Sequence, residues 1–347
     1  MRDSAIAASF AVLRASRLHR LLAPLARGRG AILMFHHVRP PDPRGFAPNR
    51  LLEIAPEFLE TVILRVKAAG YDIVSLDSAL ERIARPAATG ERPFAVLTLD
   101  DGYCDNVSHA LPVLERHGAP FTLYVATGFA ERTARLWWRE LEAAVRLLDE
   151  VRVETPAGDL ALPARSDAEK SAAFAKIYWL LRGQGEDVLL DAIAALAEKA
   201  GIDGRALVEE ACLDWNGIAT LARHPLCTIG AHTLTHPRLA RLPEAAMRRE
   251  IADSRDAIAA RLGLGIRHLS YPVGDPASAG PREFAAARAF GFASAVTTRP
   301  GMILDAHADR LHALPRLSIN GKWQRAALVD VLLSGVPFAL LNRGRAA

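Results

Sequence analysis

The stretch Leu97-Thr98-Leu99-Asp100-Asp101-Gly102 decides the fold. In it, an apolar run is followed directly by two carboxylates and a glycine. The run Phe94–Leu99 is apolar almost throughout, as a strand covered on both faces of a parallel sheet should be. In a parallel α/β barrel, the carboxyl ends of the strands form the active-site face. In such a barrel, Asp100 and Asp101 are expected to lie in the active site. A turn in which one aspartate only caps the following helix is the alternative.

Short apolar runs alternate with helical patterns from residue 31 onward. Besides 94–99, runs rich in Val, Ile, Phe and Tyr predict strands at residues 31–38, 71–76, 121–126, 228–231, 268–271, 293–297 and 313–319. Helical periodicity predicts helices at 56–69, 106–117, 243–262 and 281–290, and a glycine that can end a helix follows each of them. Strand–helix alternation predicts a parallel α/β sheet, and about eight strands over this length suggest a barrel.

Residues 131 to about 215 break this alternation. They contain helical runs at 140–148, 167–181 and 186–199, and a predicted hairpin that turns at Ala157 and Gly158. The segment contains no motif with evident chemistry. We therefore expect a barrel domain at 31–347 with a mostly helical insertion at 131–215, preceded by a basic, helical arm at 1–30.

Composition and charge limit the classes of protein. The chain has 347 residues, of which 50% are hydrophobic and 24% charged, as in an ordinary soluble globular protein. Its three cysteines (Cys104, Cys212 and Cys227) are odd in number and far apart, which excludes a disulfide framework or a Cys-ligated zinc site. Residues 1–30 carry six Arg and one Asp, a net charge of +5. Since the net charge of the whole chain is +4, the other 317 residues have a net charge of −1. Because nucleic-acid binding needs positive charge on the folded surface, we expect no nucleic-acid partner.

The arm carries apolar residues at helix-like intervals with arginines between them: Ile6, Phe10, Leu13, Leu18, Leu21, Leu22 and Leu25. Two interpretations are open, a surface helix that packs on the body and an interfacial helix that contacts anionic lipid. Residues 5–13 are short for the apolar part of a secretory signal and run directly into Arg14. We therefore favour a cytoplasmic or membrane-peripheral protein, with membrane contact through the arm, over a secreted one.

A second cluster ends another predicted strand and reads Thr228-Ile229-Gly230-Ala231-His232-Thr233-Leu234-Thr235-His236. In a helical turn, side chains four residues apart lie on one face, so His232 and His236 can reach one metal ion. A lone histidine is more often a surface or core residue. Here a histidine pair follows one strand and a carboxylate pair follows another, and this placement predicts a metal site.

Two histidines and one carboxylate leave coordination positions open, as a catalytic metal requires. This ligand set suits Zn²⁺ or a similar divalent ion, and it also suits a non-haem iron oxygenase. The second carboxylate favours hydrolysis, because a metal-bound water becomes acidic near neutral pH and an adjacent carboxylate can take its proton.

Together the two motifs resemble those of the polysaccharide deacetylases of carbohydrate esterase family 4, which include the nodulation-type chitooligosaccharide deacetylases. The resemblance covers residues 31–320 outside the insertion. It implies a distorted (β/α)7-type barrel and metal-dependent removal of acetyl groups, N-acetyl above all, from an acetylated oligo- or polysaccharide. It also implies that Asp100 is the general base and that Asp101, His232 and His236 bind the metal, with zinc favoured over cobalt or nickel.

Further segments extend this resemblance. The stretch His268-Leu269-Ser270-Tyr271-Pro272-Val273-Gly274 is similar to the family's third motif, a strand that ends in Pro-x-Gly and forms one groove wall. Tyr271 and Pro272 are therefore candidate substrate contacts. Better-studied members carry an arginine there that orients the base, where this sequence has Ser270. Arg316 is the candidate replacement, and an ordinary surface ion pair is its alternative.

The family's usual fifth motif, which supplies the general acid, is not evident near the C-terminus. Instead, Ile32-Leu33-Met34-Phe35-His36-His37-Val38 resembles the first-strand signature of the biofilm-type exopolysaccharide deacetylases, in which the histidine matching His36 is the acid. Imidazole near its ordinary pKa can protonate a leaving amine at neutral pH. A histidine that only packs at the barrel mouth is the alternative. His37 is expected to point to the opposite face of the strand.

The resemblance implies that metal-activated water attacks the acetyl carbonyl with Asp100 as base. A backbone N–H near Tyr103 is expected to stabilise the oxyanion. Tyr271, Trp137 and Trp138 are candidates for stacking on sugar rings, with core packing as the alternative for the tryptophans. Two other functions stay open. One is a glycan-binding relative without turnover, which the departures from the family pattern favour, and the other is a metallohydrolase that cuts C–N bonds in cyclic amides.

Overall fold

A computed structural model describes residues 12–43, 45–155 and 158–342. The strands in this part of the chain are β1 (Gly30–Phe35), β2 (His37–Val38), β3 (Glu53–Ile54), β4 (Asp72–Ile73), β5 (Phe94–Leu99), β6 (Phe121–Val125), β7 (Glu150–Val153), β8 (Leu160–Pro163), β9 (Cys227–Ala231), β10 (His268–Ser270), β11 (Ser294–Val296) and β12 (Leu317–Ser318). Seven of them form one parallel sheet in the order β11-β10-β9-β6-β5-β1-β12, and β4 pairs with the start of β5. This topology confirms the predicted distorted (β/α)7-type barrel.

Hydrogen bonds connect the two edges of this sheet. The Thr297 N–H, after β11, donates to the Leu314 carbonyl at 2.9 Å, and the Leu314 N–H donates to the Ala295 carbonyl at 3.0 Å. The sequence predicts one strand at 313–319, whereas β12 covers only its last part. Pro315 interrupts the strand because it has no N–H to donate, and the next N–H, of Arg316, bonds outside the ladder.

Helices cover the sheet, and every residue of β1, β5 and β6 is buried. The α-helices of the barrel are Pro56–Ala68, Leu76–Ile83, Leu111–Arg116, Thr127–Ala130, Trp215–Ala222, Glu244–Leu262, Pro281–Ala289, Ala326–Leu333 and Val336–Leu341. The helix predicted at 106–117 begins instead as a wider turn at Asn106–Ala110. Pro112 lies in the first turn of the regular helix that follows, where its missing N–H is tolerated.

The insertion is mostly helical, as predicted. It contains the helices Trp137–Leu147, Asp167–Arg182, Glu186–Lys199 and Gly204–Ala211 and the antiparallel pair β7–β8. Its apolar side chains form a second core, which also contains Phe46, Tyr103, Ala126 and Phe129 of the barrel. Gly158 lies between β7 and β8 with φ of 119°, and Ala157 lies outside the described residues. The exact boundaries of arm, barrel and insertion stay predictions.

The arm forms a helix at Leu18–Ala26, which packs against Val336–Leu341 near the other end of the chain. Leu21 and Leu25 are 74% and 86% exposed, so much of the apolar stripe faces outward. The predicted arm positions within residues 1–11, Ile6 among them, lie outside the described residues. Within the described ranges, no helix is long and apolar enough to cross a bilayer.

Candidate active site

The candidate site lies where β5 and β9 end. Asp100 and Asp101 follow β5 and His232 follows β9, so the parallel strands bring all three to the same edge of the sheet. Asp101 has a left-handed backbone with φ of 72°, and Gly102 follows with φ of 70°. Glycine adopts this conformation freely and aspartate tolerates it. The turn directs the two adjacent carboxylates to different partners.

Asp101, His232 and His236 form a candidate metal centre. Nε2 of His232 and Nε2 of His236 lie 3.4 and 3.3 Å from the same oxygen, Asp101 Oδ1. Each residue offers one ligand atom, and these atoms all lie within 4.8 Å of one another. Two ligands of a tetrahedral zinc ion, each about 2.1 Å from it, are about 3.4 Å apart. The spacing therefore fits one small divalent ion.

Hydrogen bonding around the cluster also fits a metal ion. Nδ1 of His232 lies 2.7 Å from the Ser270 carbonyl, which can only accept, so Nδ1 carries the proton and Nε2 keeps a free lone pair. Asp101 Oδ1 is buried and has no hydrogen-bond partner among the described residues. A buried carboxylate oxygen without a partner is unfavourable, and a bound cation would supply that partner.

The turn from His232 to His236 is not the helical turn that the spacing predicts. Thr233 and His236 have left-handed backbones, with φ of 67° and 61°, and the two imidazole centroids are nevertheless 4.9 Å apart. Glu250, on the helix that follows, accepts two backbone N–H bonds from this turn, both at 2.9 Å. The histidines converge because a strained, externally held turn replaces the helix.

Arg316 holds the second carboxylate. Its Nη1 and Nη2 donate to the two oxygens of Asp100, each at 2.7 Å. The other N–H groups donate to the Thr297 carbonyl at 2.9 Å, to Thr98 Oγ1 at 3.1 Å and to Ser270 Oγ at 3.0 Å. All five donors are thus bonded, and the residue is 1% exposed. The alternative of an ordinary surface ion pair is therefore wrong.

Burial and charge set the protonation states of the cluster. Burial raises the pKa of Asp100, but the charge and hydrogen bonds of Arg316, with the nearby His232 and His36, together lower it by more. Burial also raises the pKa of Asp101, and the adjacent His236 and His232 lower it by more. Burial lowers the pKa of His236 to about 4. Burial lowers the pKa of His232 as well, but the two carboxylates raise it by more. Ionised carboxylates and a neutral His236 suit metal binding.

The two histidines after β1 point to different surroundings. His36 is half-buried, and burial lowers its pKa, while the charges of Asp101 and Asp100 raise it by less. The expectation that His36 keeps an ordinary pKa is therefore wrong. His37 points away, as predicted, and its Nδ1 lies 2.6 Å from Asp105 Oδ2.

Tyr103 lies beneath the site, with its ring fully buried and stacked on His37 at a centroid distance of 3.5 Å. Burial and the nearby Asp101 raise the pKa of its hydroxyl well above the usual value. The backbone N–H of Tyr103 has no hydrogen-bond partner in the part of the chain that the structure describes. This N–H is therefore a free donor two residues from Asp101.

The interpretation of Tyr271 as a sugar-stacking residue is wrong. Its side chain is fully buried, packs against Phe284, and donates its hydroxyl to the His312 carbonyl at 2.9 Å. A ring with no exposed face cannot stack on a ligand. Pro272 is also buried, and its carbonyl accepts the Gly274 N–H at 2.6 Å, so it shapes the loop after β10.

The insertion packs directly behind the candidate metal centre. Trp137 and Trp138 are 8% and 6% exposed and belong to the insertion core, and the Trp138 ring lies 5.1 Å from that of His236. Sequence reasoning missed this contact, and it also missed Glu250 and Thr98. The signal for Thr98 is a single hydroxyl in an apolar strand. Glu250 gives no signal, because it is one acid among many on a charged helix.

The fold and the site together define a barrel hydrolase with a candidate metal centre at the carboxyl ends of its strands. The chain belongs to the polysaccharide deacetylase family: the family's sequence model matches residues 87–158 and 167–293, more than half of the chain. It is therefore a hydrolase of carbon–nitrogen bonds other than peptide bonds, of a family that acts on acetylated polysaccharides. A search of curated proteins found no match.

Solved structures share the fold at low sequence identity. The Streptococcus pyogenes deacetylase PplD, in complex with acetate, is 17% identical with a TM-score of 0.56, over 84% of this chain and 92% of that one. IcaB from Ammonifex degensii is 17% identical with a TM-score of 0.55, over 88% and 98%. A de-N-acetylase from Aggregatibacter actinomycetemcomitans is 13% identical with a TM-score of 0.53, over 87% and 98%.

Proposed function

We propose that this chain is a metal-dependent deacetylase that removes N-acetyl groups from an oligo- or polysaccharide. One observation carries the proposal. Asp101, His232 and His236 converge around one point. The adjacent Asp100 is not part of this cluster and instead binds Arg316. A metal centre with a spare carboxylate beside it is an arrangement suited to hydrolysis.

Asp101, His232 and His236 would hold a divalent ion, zinc before cobalt or nickel, because a mixed nitrogen and oxygen donor set suits zinc. When bound, the ion supplies a water of lowered pKa and polarises the acetyl carbonyl. Ser270 fixes the tautomer of His232 through its carbonyl, and the Trp138 ring packs against His236. The protein thus orients the ligands before any ion binds.

Three groups of the chain handle the protons and the developing charge. Asp100 takes the proton of the attacking water, and its bidentate contact with Arg316 keeps it ionised and fixed in direction. The free N–H of Tyr103 donates to the oxyanion. His36 gives a proton to the departing amine.

Acetate release from N-acetylated chitooligosaccharides, with zinc or cobalt added, tests this proposal. The wild type should release acetate, and Asp100→Asn should be slower by about a hundredfold or more while it still binds metal. Asp253→Asn, an exposed carboxylate on the helix Glu244–Leu262, is the control and should match the wild type. If the wild type and Asp100→Asn are equally inert on several acetylated glycans, the protein is a glycan-binding relative. Activity confined to cyclic amides would identify the other metallohydrolase.

We also propose that the arm contacts an anionic membrane surface. Leu21, Leu25, Leu340 and Leu341 are each more than 60% exposed, on two helices that pack together. Exposed arginines, Arg14, Arg17 and Arg20, accompany these leucines on the arm. Exposed leucines flanked by arginines suit the boundary between lipid headgroups and acyl chains.

Co-sedimentation with vesicles tests this contact. The wild type should bind vesicles that contain phosphatidylglycerol and bind pure phosphatidylcholine weakly, because arginine favours anionic lipid. Leu21→Asp/Leu25→Asp should abolish binding, and Leu64→Asp, at a half-exposed leucine on Pro56–Ala68, should not. Equal sedimentation of all three proteins would contradict the proposal.

A further inference from the structure

A row of aromatic rings leads from the candidate metal centre to the surface of the insertion. The Trp138 ring lies 5.1 Å from His236, and the Trp137 ring lies 5.7 Å from Trp138. Tyr178 follows at 5.2 Å from Trp137, and Trp179 at 5.2 Å from Tyr178. The row begins in the core and ends at Trp179, which is 66% exposed.

The outer end of this row is held in a fixed arrangement. The Arg182 guanidinium lies over both outer rings, 5.6 Å from the centroid of Tyr178 and 5.3 Å from that of Trp179. Arg182 also donates to Asp275 at 2.9 Å, and Asp275 belongs to the loop that follows β10. The ion pair and the two stacked contacts restrict the rotamers of a side chain that would otherwise move freely. The exposed Trp179 ring is therefore held in one orientation, with the half-buried Tyr178 beside it.

We call Tyr178, Trp179 and Arg182, with the Asp275 that pairs with Arg182, the platform. The platform lies at the same end of the barrel as the candidate metal centre. Asp275 lies just after the Pro272 turn, on the loop that leaves the carboxyl end of β10, and the candidate metal centre lies at the same end of the barrel. Arg238, two residues beyond His236, donates to the Arg182 carbonyl and pairs with Glu186 of the insertion. The helix end that carries the platform is thus tied to two loops that border the site.

The chemistry of the platform suits a sugar ring. A pyranose has apolar C–H faces that pack on aromatic rings, and hydroxyl groups at its edge that bond to guanidinium and carboxylate groups. An exposed tryptophan beside a paired arginine and aspartate offers both kinds of contact. We propose that Tyr178, Trp179, Arg182 and Asp275 form a distal subsite for the glycan chain whose acetylated unit lies at the metal centre. This inference rests on the proposed function.

The subsite implies a preference for long chains, because a short oligosaccharide cannot reach both places. Fluorescence or calorimetric titration with N-acetylated chitobiose and chitohexaose measures this preference. The titration uses proteins that carry Asp100→Asn, so no turnover is needed. The hexasaccharide should bind more tightly than the disaccharide, and Trp179→Ala should weaken hexasaccharide binding by about tenfold without affecting the disaccharide.

Two further variants separate the platform from general effects. Leu147→Ala removes an equally exposed apolar side chain, 64% exposed on the insertion, and should bind both sugars as the parent does. Arg182→Lys keeps the charge but loses the planar stacking group, and should weaken hexasaccharide binding alone. The proposal is wrong if the parent protein binds the hexasaccharide no more tightly than the disaccharide. It is also wrong if the Trp179→Ala protein shows the same gain in affinity from disaccharide to hexasaccharide as the parent. Because these titrations do not depend on acetate release, they also decide the subsite if the wild type proves inactive.

Discussion

Replacing Arg316 by methionine tests how the proposed base is held. Loss of one partner from a buried ion pair leaves the other charge uncompensated, and such a loss costs about 3–5 kcal/mol of folding free energy. Arg316→Met removes both bonds to Asp100 together with the bonds to Thr98, Ser270 and Thr297. We therefore expect the free energy of unfolding to fall by an amount in that range. Arg316→Lys, which keeps the charge without the two-pronged geometry, should cost less, about 1–3 kcal/mol.

A double-mutant cycle isolates the pair from the other contacts. Urea unfolding of the metal-free wild type, Arg316→Met, Asp100→Asn and the double variant, followed by circular dichroism at pH 7, gives the coupling energy. A direct contact between buried charges should give a coupling of about 2 kcal/mol or more. Additive effects, with a coupling below about 0.5 kcal/mol, would refute the reasoning. Acetate release should fall in Arg316→Met through kcat, with KM little changed, because the pair acts on the base and not on substrate binding.

Two further predictions concern the barrel. Gly230→Ala should destabilise the protein by about 1–3 kcal/mol in urea unfolding, because its Cβ would lie 2.5 Å from the buried ring of Tyr124. Gly265→Ala, with no atom within 4 Å of its Cβ, is the control and should be near neutral; equal effects would contradict the packing argument. Asp77→Asn should lower the free energy of unfolding by less than about 1 kcal/mol at pH 7, because His268 lowers the pKa of the partly exposed Asp77. This stabilisation is present above the unfolded pKa of about 4 and is lost as the pH falls through the lower folded pKa, so the difference should shrink on acidification.

The strands that carry the site could be predicted because burial on both faces leaves a direct trace in the sequence. The run that ends at Asp100 is apolar almost throughout, and the carboxyl end of a parallel strand is where the active-site face lies. The same position, at the carboxyl end of another strand of the sheet, predicts His232 as a site residue. The end of a buried strand can be read from the sequence, because it is the place where the apolar run stops.

The detailed geometry of the site could not be predicted, because it depends on contacts between distant segments. His232 and His236 converge through left-handed backbones held by Glu250, and spacing alone suggested a helical turn instead. Arg316 reaches Asp100 across 216 residues of sequence, because its strand β12 and the strand β5 before Asp100 both flank β1. Tyr271 occupies a position typical of a ligand contact, and its burial follows from the packing of Phe284 against it. The burial of one side chain produces no periodic pattern in the sequence from which it could be predicted.

The central claim is that Asp101, His232 and His236 bind one divalent ion, and metal content measures it directly. Protein purified without chelators, loaded with zinc and dialysed, should retain about one ion per chain by elemental analysis. His232→Ala and His236→Ala should retain almost none, while His224→Ala, which removes a histidine paired with Glu115 outside the cluster, should keep it. Retention of the ion by both cluster variants, or a wild type that retains none, would contradict the account.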